Sequence, residues 1–310
     1  MKVLVFVLLC GLLMGCGVAS RGADQGGAKF AAFRRLWEYN EMAEAAEKQR
    51  SHMKSRDSDR VVTPVVDGLI SEDPAIRERA VQILEGPYLT NGWLAIDHFE
   101  RLTWEKLDGR GRGMYLWCWA THRRWDDPTS GRPLPQSLTS DLWTRAAKEK
   151  TALPYLKETG ILLFKVWRSA YHPPAPIGDS LETGDRQRMA RQYLSVFKTC
   201  STDAERMAVA WMILDFHSAE EDTMLVDWYT SEAEPQQRAD LVATIVRIIN
   251  PARDDLRVRV IRERTEQVLC KRAPLLRQLA NVAIEDWHPE AAQAGASLLY
   301  GLGKLEAGAK

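Results

Sequence analysis

The chain lacks most of what marks a recognisable catalytic or nucleic-acid-binding protein. It has no glycine-rich phosphate loop, no G-x-S-x-G elbow and no H-E-x-x-H pair. Its six histidines (His52, His98, His122, His172, His217 and His288) are scattered, and no cysteine or histidine spacing suits a metal. No catalytic residue, metal or cofactor is therefore assigned. Charge of either sign is not in excess: 42 Lys and Arg stand against 42 Asp and Glu. That balance excludes the basic footprint of a nucleic-acid partner. Cys118, Cys200 and Cys270 are far apart and odd in number, so at most one disulfide is available among them. Each lies in an apolar helical pattern, which predicts buried thiols. Few runs alternate at period two, so strands are not expected.

What is present begins at the N-terminus. Lys2 is followed by the apolar stretch Val3 to Met14, interrupted only by Gly11. Twelve residues fall short of the ~20 needed to span a bilayer, but they suit the core of a secretory signal. The stretch ends Leu13-Met14-Gly15-Cys16, which resembles the lipobox of bacterial lipoproteins. The resemblance implies removal of residues 1–15 and lipidation of Cys16 on its thiol and new amino group. Met14 departs from the Ala or Ser usual at its position. The alternative is an ordinary signal cut after Ala19, within Gly17-Val18-Ala19-Ser20. Gly17, rather than Asp, after the Cys implies the outer rather than the inner membrane. Residues 16–28 are small and Gly-rich and read as a flexible tether.

The segment from Val65 to Leu84 organises the rest. An apolar helical stretch runs into Ser71-Glu72-Asp73-Pro74, then a second helix carries Ile76, Ala80, Val81, Ile83 and Leu84. Asp73 is placed to cap that helix, and Pro74 occupies its first turn without losing a donor. The pair, through Asp73-Pro74, Ile76-Arg77 and Ala80-Val81, resembles a HEAT repeat. One such pair cannot bury its own faces, so neighbours must stack on it. Second helices of further pairs are expected to start near 73, 111, 151, 202, 235 and 273, in steps of 38, 40, 51, 33 and 38 residues. HEAT-type periods run ~40–47. The expected fold is all-α: an irregular, HEAT-like α-solenoid of antiparallel helix pairs. Its sub-arrays are residues 29–171 and 184–310, joined by a Pro-rich connection over 172–183.

In order, helices are expected at 29–55, 61–71, 74–85 and 91–105. A glycine loop over 107–113 precedes an aromatic helix at 114–125. Then come 138–149, 152–170, 184–198, 203–216, 220–230, 235–249, 254–270, 274–286 and 289–301. The charge run Glu47 to Arg60 reads as a solvated helix end. Asp126-Asp127, ahead of Pro128, reads as a turn rather than a paired-acid site. The cluster from Asp215 to Asp222 around His217 could hold a metal if its carboxylates converged. It reads more simply as a helix ending at His217, followed by a capped acidic start.

Of eleven tryptophans, Trp37, Trp167, Trp211 and Trp228 recur at core spacing. The helix from Met114 to Trp125 is apolar or aromatic nearly all round, as an inner solenoid helix would be. It also supplies the candidate binding surface. Tyr115, Trp119 and His122 share a face, with Arg110 and Arg112 in the preceding loop, an arrangement suited to an acidic peptide or anionic glycan. The expectation is a lipid-anchored envelope protein, attached to the membrane through Cys16. It would bind or scaffold a protein, peptide or glycan partner. An all-α enzyme acting on cell-wall glycan and a ligand-binding lipoprotein are the competing classes.

Overall fold

The computed structural model describes residues 22–50, 62–85, 102–123, 136–169, 176–217, 223–231, 233–250 and 258–308. Among these every regular element is helical, and no strand occurs. The signal stretch, Cys16, Asp126-Asp127 and most of the expected 91–105 helix lie outside the described residues. The chain forms two compact units, residues 1–83 and 84–310.

In the first unit, α1 (Gly22–Arg50) and α2 (62–67, extended by a 3-10 turn over Gly68–Ile70) precede α3 (Pro74–Glu85). The helix starts at Gly22, so residues 22–28 are helical rather than an irregular tether. Once a helix is nucleated, extending it by a turn costs little. Tyr39, Ala43 and Ala46 form the buried face of α1, and the Tyr39 hydroxyl donates to the Val65 carbonyl at 2.7 Å. That contact needs Gly68, where a Cβ would lie 2.4 Å from the Tyr39 oxygen. Asp73 caps α3 as expected, its carboxylate accepting the Ala75 N–H at 3.0 Å. Trp37, expected in the core, lies instead on the outer face of α1.

The second unit opens with a 3-10 turn (Trp104–Lys106) and α4 (Gly109–Arg123). It continues with α5 (Gln136–Ala147), α6 (Leu156–Ser169), a 3-10 turn (Gly178–Ser180), α7 (Thr183–Phe197) and α8 (Asp203–Phe216). Then follow α9 (Met224–Ser231), α10 (Pro235–Ile249), α11 (Val258–Ile284) and α12 (Pro289–Gly308). Helices two apart in sequence pack side by side: α4 on α6, α6 on α8, α8 on α10 and α10 on α12 form one layer. In the other layer α5 packs on α7 and α9 on α11, while α7 to α8 and α11 to α12 join the layers. This up-and-down stacking in two layers is an irregular, HEAT-like α-solenoid. It explains α8, in which every residue from Ala208 to Phe216 is buried. The helix is flanked on three sides, by α6, α7 and α10.

Several boundaries differ from the sequence expectation, and three of them have a visible cause. The glycine loop at 107–113 is the start of α4: the Asp108 carboxylate accepts the Gly111 N–H at 2.8 Å and so caps it. Gly113 is there for closeness, since a Cβ would meet the Pro154 carbonyl oxygen at 2.2 Å. The helices expected at 254–270 and 274–286 are one, because Leu269, Ala273, Leu276 and Leu279 are buried on either side of Pro274. Tertiary burial there outweighs the lost proline donor. Helix α9 starts at Met224, not at 220, with the Asp227 N–H on the Thr223 carbonyl at 2.8 Å.

The described part of the Pro-rich segment, residues 176–183, packs against α8. There Ile177, Gly178 and Leu181 are buried, and α6 packs on α8 across it. Asp215 Oδ2, near the end of α8, accepts the Ile177 N–H at 3.0 Å and the Gly178 N–H at 3.3 Å. Arg272 of α11 donates to the Asp215 carbonyl at 2.8 Å. A Cβ on Gly178 would come within 2.2 Å of that carbonyl oxygen, so only glycine fits. Helix α8 ends with the His217 N–H on the Ile213 carbonyl at 3.0 Å. This cluster is a structural clamp.

Candidate functional site

The aromatic helix contributes to the core rather than to a binding floor. Trp119 and Tyr115 are fully buried. Trp119 stands edge-on to Trp143 of α5 at 5.8 Å between ring centres. Trp143 in turn meets Phe216 of α8 at 5.0 Å, and Phe216 stacks on Tyr193 of α7 at 5.7 Å. Trp167 of α6 and Trp211 of α8 lie 3.9 Å apart, buried as expected. Tyr115 and Trp119 pack inward, so neither offers an exposed ring, although Tyr115 reaches a recess beside Trp104; the His122 side chain lies outside the described residues. Cys118 and Cys200 are buried and free, whereas Cys270 is exposed, contrary to its apolar surroundings in sequence. Burial pushes the Cys118 thiol well up.

The two loop arginines are held by ion pairs and point to different places. Arg110 donates to the Tyr155 hydroxyl at 3.1 Å and pairs with Glu85 at 3.2 Å. Tyr155, the one described non-glycine residue with positive φ, stacks on Trp117 at 5.4 Å. Burial, then its bond to Glu85, pushes its hydroxyl up to about 12. Arg112 pairs with Glu149 at 2.9 Å, donates to the Trp104 carbonyl at 3.1 Å and lies over the Trp104 ring.

Arg112 borders the best candidate site in the second unit, a cleft between the Trp104–Lys106 turn and the outer face of α5. Its wider part, of about 380 Å³, is lined by Trp104, Arg112, Asp141, Arg145, Lys148 and Glu149 among others. A smaller recess of about 190 Å³ shares Trp104, Asp141 and Arg145, and reaches Leu102, Tyr115 and Leu142. Both parts mix apolar and charged side chains: Leu102, Trp104, Tyr115 and Leu142 lie beside Glu105, Asp141 and Arg145. The charges are matched. Arg145 Nε lies 3.0 and 2.9 Å from the two Asp141 carboxylate oxygens, and its guanidinium also pairs with Glu105. The Asp141 hydrogen bond comes first among the influences that raise the Arg145 pKa. Trp104 Nε1 donates to Glu149 at 3.2 Å.

Sequence reasoning missed Trp104, Asp141, Arg145 and Glu149. The available signal was the i, i+4 pair Asp141–Arg145 on a helix already expected; nothing in sequence brings Glu105 or Arg112 to it. Among the described residues no group of three His, Cys, Asp or Glu could hold a metal, and no helix is long and apolar enough to cross a membrane. No protein-family model, curated protein or solved structure matches the chain.

Proposed function

We propose that this is a lipid-anchored envelope protein that binds a partner through its helical-repeat body. One observation carries the binding part: a recess in which Leu102, Trp104, Tyr115 and Leu142 lie beside the paired charges Glu105, Asp141 and Arg145. Such a cleft favours a peptide segment that buries one apolar side chain and lays polar groups along the rim. A uniformly acidic peptide or glycan is disfavoured, because Arg112 and Arg145 are already neutralised by Glu149, Asp141 and Glu105. Solenoids commonly present long surfaces to extended partners. The envelope address is supported by Leu13-Met14-Gly15-Cys16.

The test combines the address and the cleft. Wild-type protein should incorporate labelled fatty acid, and Cys16→Ser should abolish the label and slow processing. A photo-crosslinking side chain at Thr144, beside the cleft, should capture a defined partner from intact envelopes. The same side chain at Lys198, beyond the end of α7, should not. Equal capture from both positions would refute the cleft, and an unlabelled mature chain beginning at Ser20 would refute the anchor.

A further inference from the structure

Helix α1 has two apolar faces, and the fold accounts for only one. The inner face, Tyr39, Ala43 and Ala46, is buried against the 62–70 segment. On the opposite side Phe30, Phe33 and Trp37 are 62%, 53% and 51% exposed. Their spacing of i, i+3 and i+7 puts them in one stripe. Single exposed aromatics are ordinary on protein surfaces, but a contiguous stripe of three on one helix is not. We propose that this stripe seats on the lipid–water interface, with the first half of α1 lying along the membrane surface. The proposal rests on the reading of Cys16 as the anchor.

The charge pattern fits that occupant. Lys29 and Arg34 flank the stripe on either side along the helix. The partner of Arg34 is Glu38 at 2.8 Å, and both side chains are more than half exposed. An exposed pair of this kind is worth little, so its arginine is readily turned toward a lipid phosphate. Beyond Trp37 the same side of the helix carries Glu41 and Glu44, both exposed. Carboxylates there would be repelled by anionic headgroups, which confines the contact to the turns from Lys29 to Trp37. Aromatic rings edged by cations are the usual composition of a helix lying in the interface.

Chain geometry keeps the stripe within reach of the bilayer once Cys16 is held in it. The six residues from Cys16 to Gly22 reach ~20 Å at most. A rise of 1.5 Å per residue then places Phe30 to Trp37 about 12–23 Å along α1 from its start. The stripe is therefore tethered beside the surface it would contact, and a second weak membrane signal strengthens a lipid anchor. The apolar face, the flanking cations and the short distance to Cys16 point to a membrane rather than to a second copy of the chain.

The experiment uses the chain from Cys16 onward with Cys16→Ser, so that no lipid contributes, and vesicles of phosphatidylethanolamine and phosphatidylglycerol. Phe30, Phe33 and Trp37 changed together to Ser should lower vesicle partitioning by about tenfold or more. The thermal midpoint should not move, because all three side chains are already exposed. A benzophenone side chain at Phe33 should form phospholipid adducts on irradiation. Adducts to protein alone, whether a second copy or another chain, would overturn the proposal, as would partitioning unchanged in the triple variant. Failure of wild-type protein to take up fatty acid would refute the anchor while leaving the stripe measured independently on vesicles.

Discussion

Asp215 offers the sharpest test of how the second unit is held together. Its carboxylate is buried, accepts the Ile177 and Gly178 N–H groups, and lies beside Arg272. Burial is the largest influence and pushes its pKa up to about 6; Arg272 and the two N–H groups pull it down, and Asp179 adds slightly to the rise. Arginine does not give up its proton in proteins, so Asp215 is the member of the pair that titrates. The unfolded chain releases this proton near 3.8, so between about pH 4 and 6 the folded state holds one proton more. Stability from this group is therefore fully present below pH ~4 and is lost as pH rises through 6. The span is worth ~3 kcal/mol at most. Asp215→Asn keeps an acceptor for Ile177 and Gly178 but cannot ionise. Urea unfolding followed by circular dichroism should find the variant close to wild type near pH 4. By pH 7.5 the variant should have gained relative to wild type by up to ~3 kcal/mol. A flat difference, or one of opposite sign, would mean that the N–H groups and Arg272 outweigh burial. Asp215→Ala, which leaves two buried donors without that acceptor, should cost about 2–4 kcal/mol at any pH.

Other outcomes follow from the same packing. Trp119→Ala should cost ~3–5 kcal/mol, because the ring is fully buried against Trp143; an unchanged melting temperature would show that the residue is not core. Asp286 receives the Tyr229 hydroxyl at 2.8 Å, the Arg238 guanidinium at 2.9 Å and the His288 N–H at 2.9 Å. Burial alone would raise its pKa, but these partners together hold it below the ordinary value. Its contribution should be present above pH ~4 and fade as pH falls below that, and Asp286→Ala should cost about 3 kcal/mol at pH 7 by urea unfolding. A maleimide should label Cys270 in the native protein and Cys118 only after denaturation; native labelling of Cys118 would contradict its burial.

The sequence carried the fold well where short-range signals set it. Asp73-Pro74 and Thr202 with Glu205 cap their helices through local hydrogen bonds, so α3 and α8 start where the residues say. It carried less where a remote partner decides. Nothing near Gly113 announces that Pro154 must approach it, and nothing near Pro176 announces Asp215. Glycine and proline therefore read as breaks where they are points of close approach. The same limit applies to the aromatic residues. Helical spacing places Trp37 and Trp211 equally well in a core, but only Trp211 has α6 against it. The spacing of Tyr115 and Trp119 likewise fits an exposed face as well as a core, and in the fold both rings turn inward.

The paired charges at the cleft decide what sort of partner it can hold. A ligand that simply brought negative charge to Arg145 would have to displace both Asp141 and Glu105, and would leave those carboxylates near the incoming anion. Exposed pairs contribute only ~0–1 kcal/mol each, so their loss is tolerable; the repulsion created is the larger obstacle. A partner that leaves the pairs intact and fills the recess behind them meets no such cost. Leu102, Trp104 and Leu142 are already nearly buried, so most of the apolar area withdrawn from water would be the partner's own side chain, at about 25 cal/mol per Å². Affinity of that origin should change little between low salt and about 0.5 M salt, where the Debye length falls to a few Å. A steep loss across that range, measured with the partner captured through Thr144, would show that the arginines bind it directly and that their present pairing is only a resting arrangement.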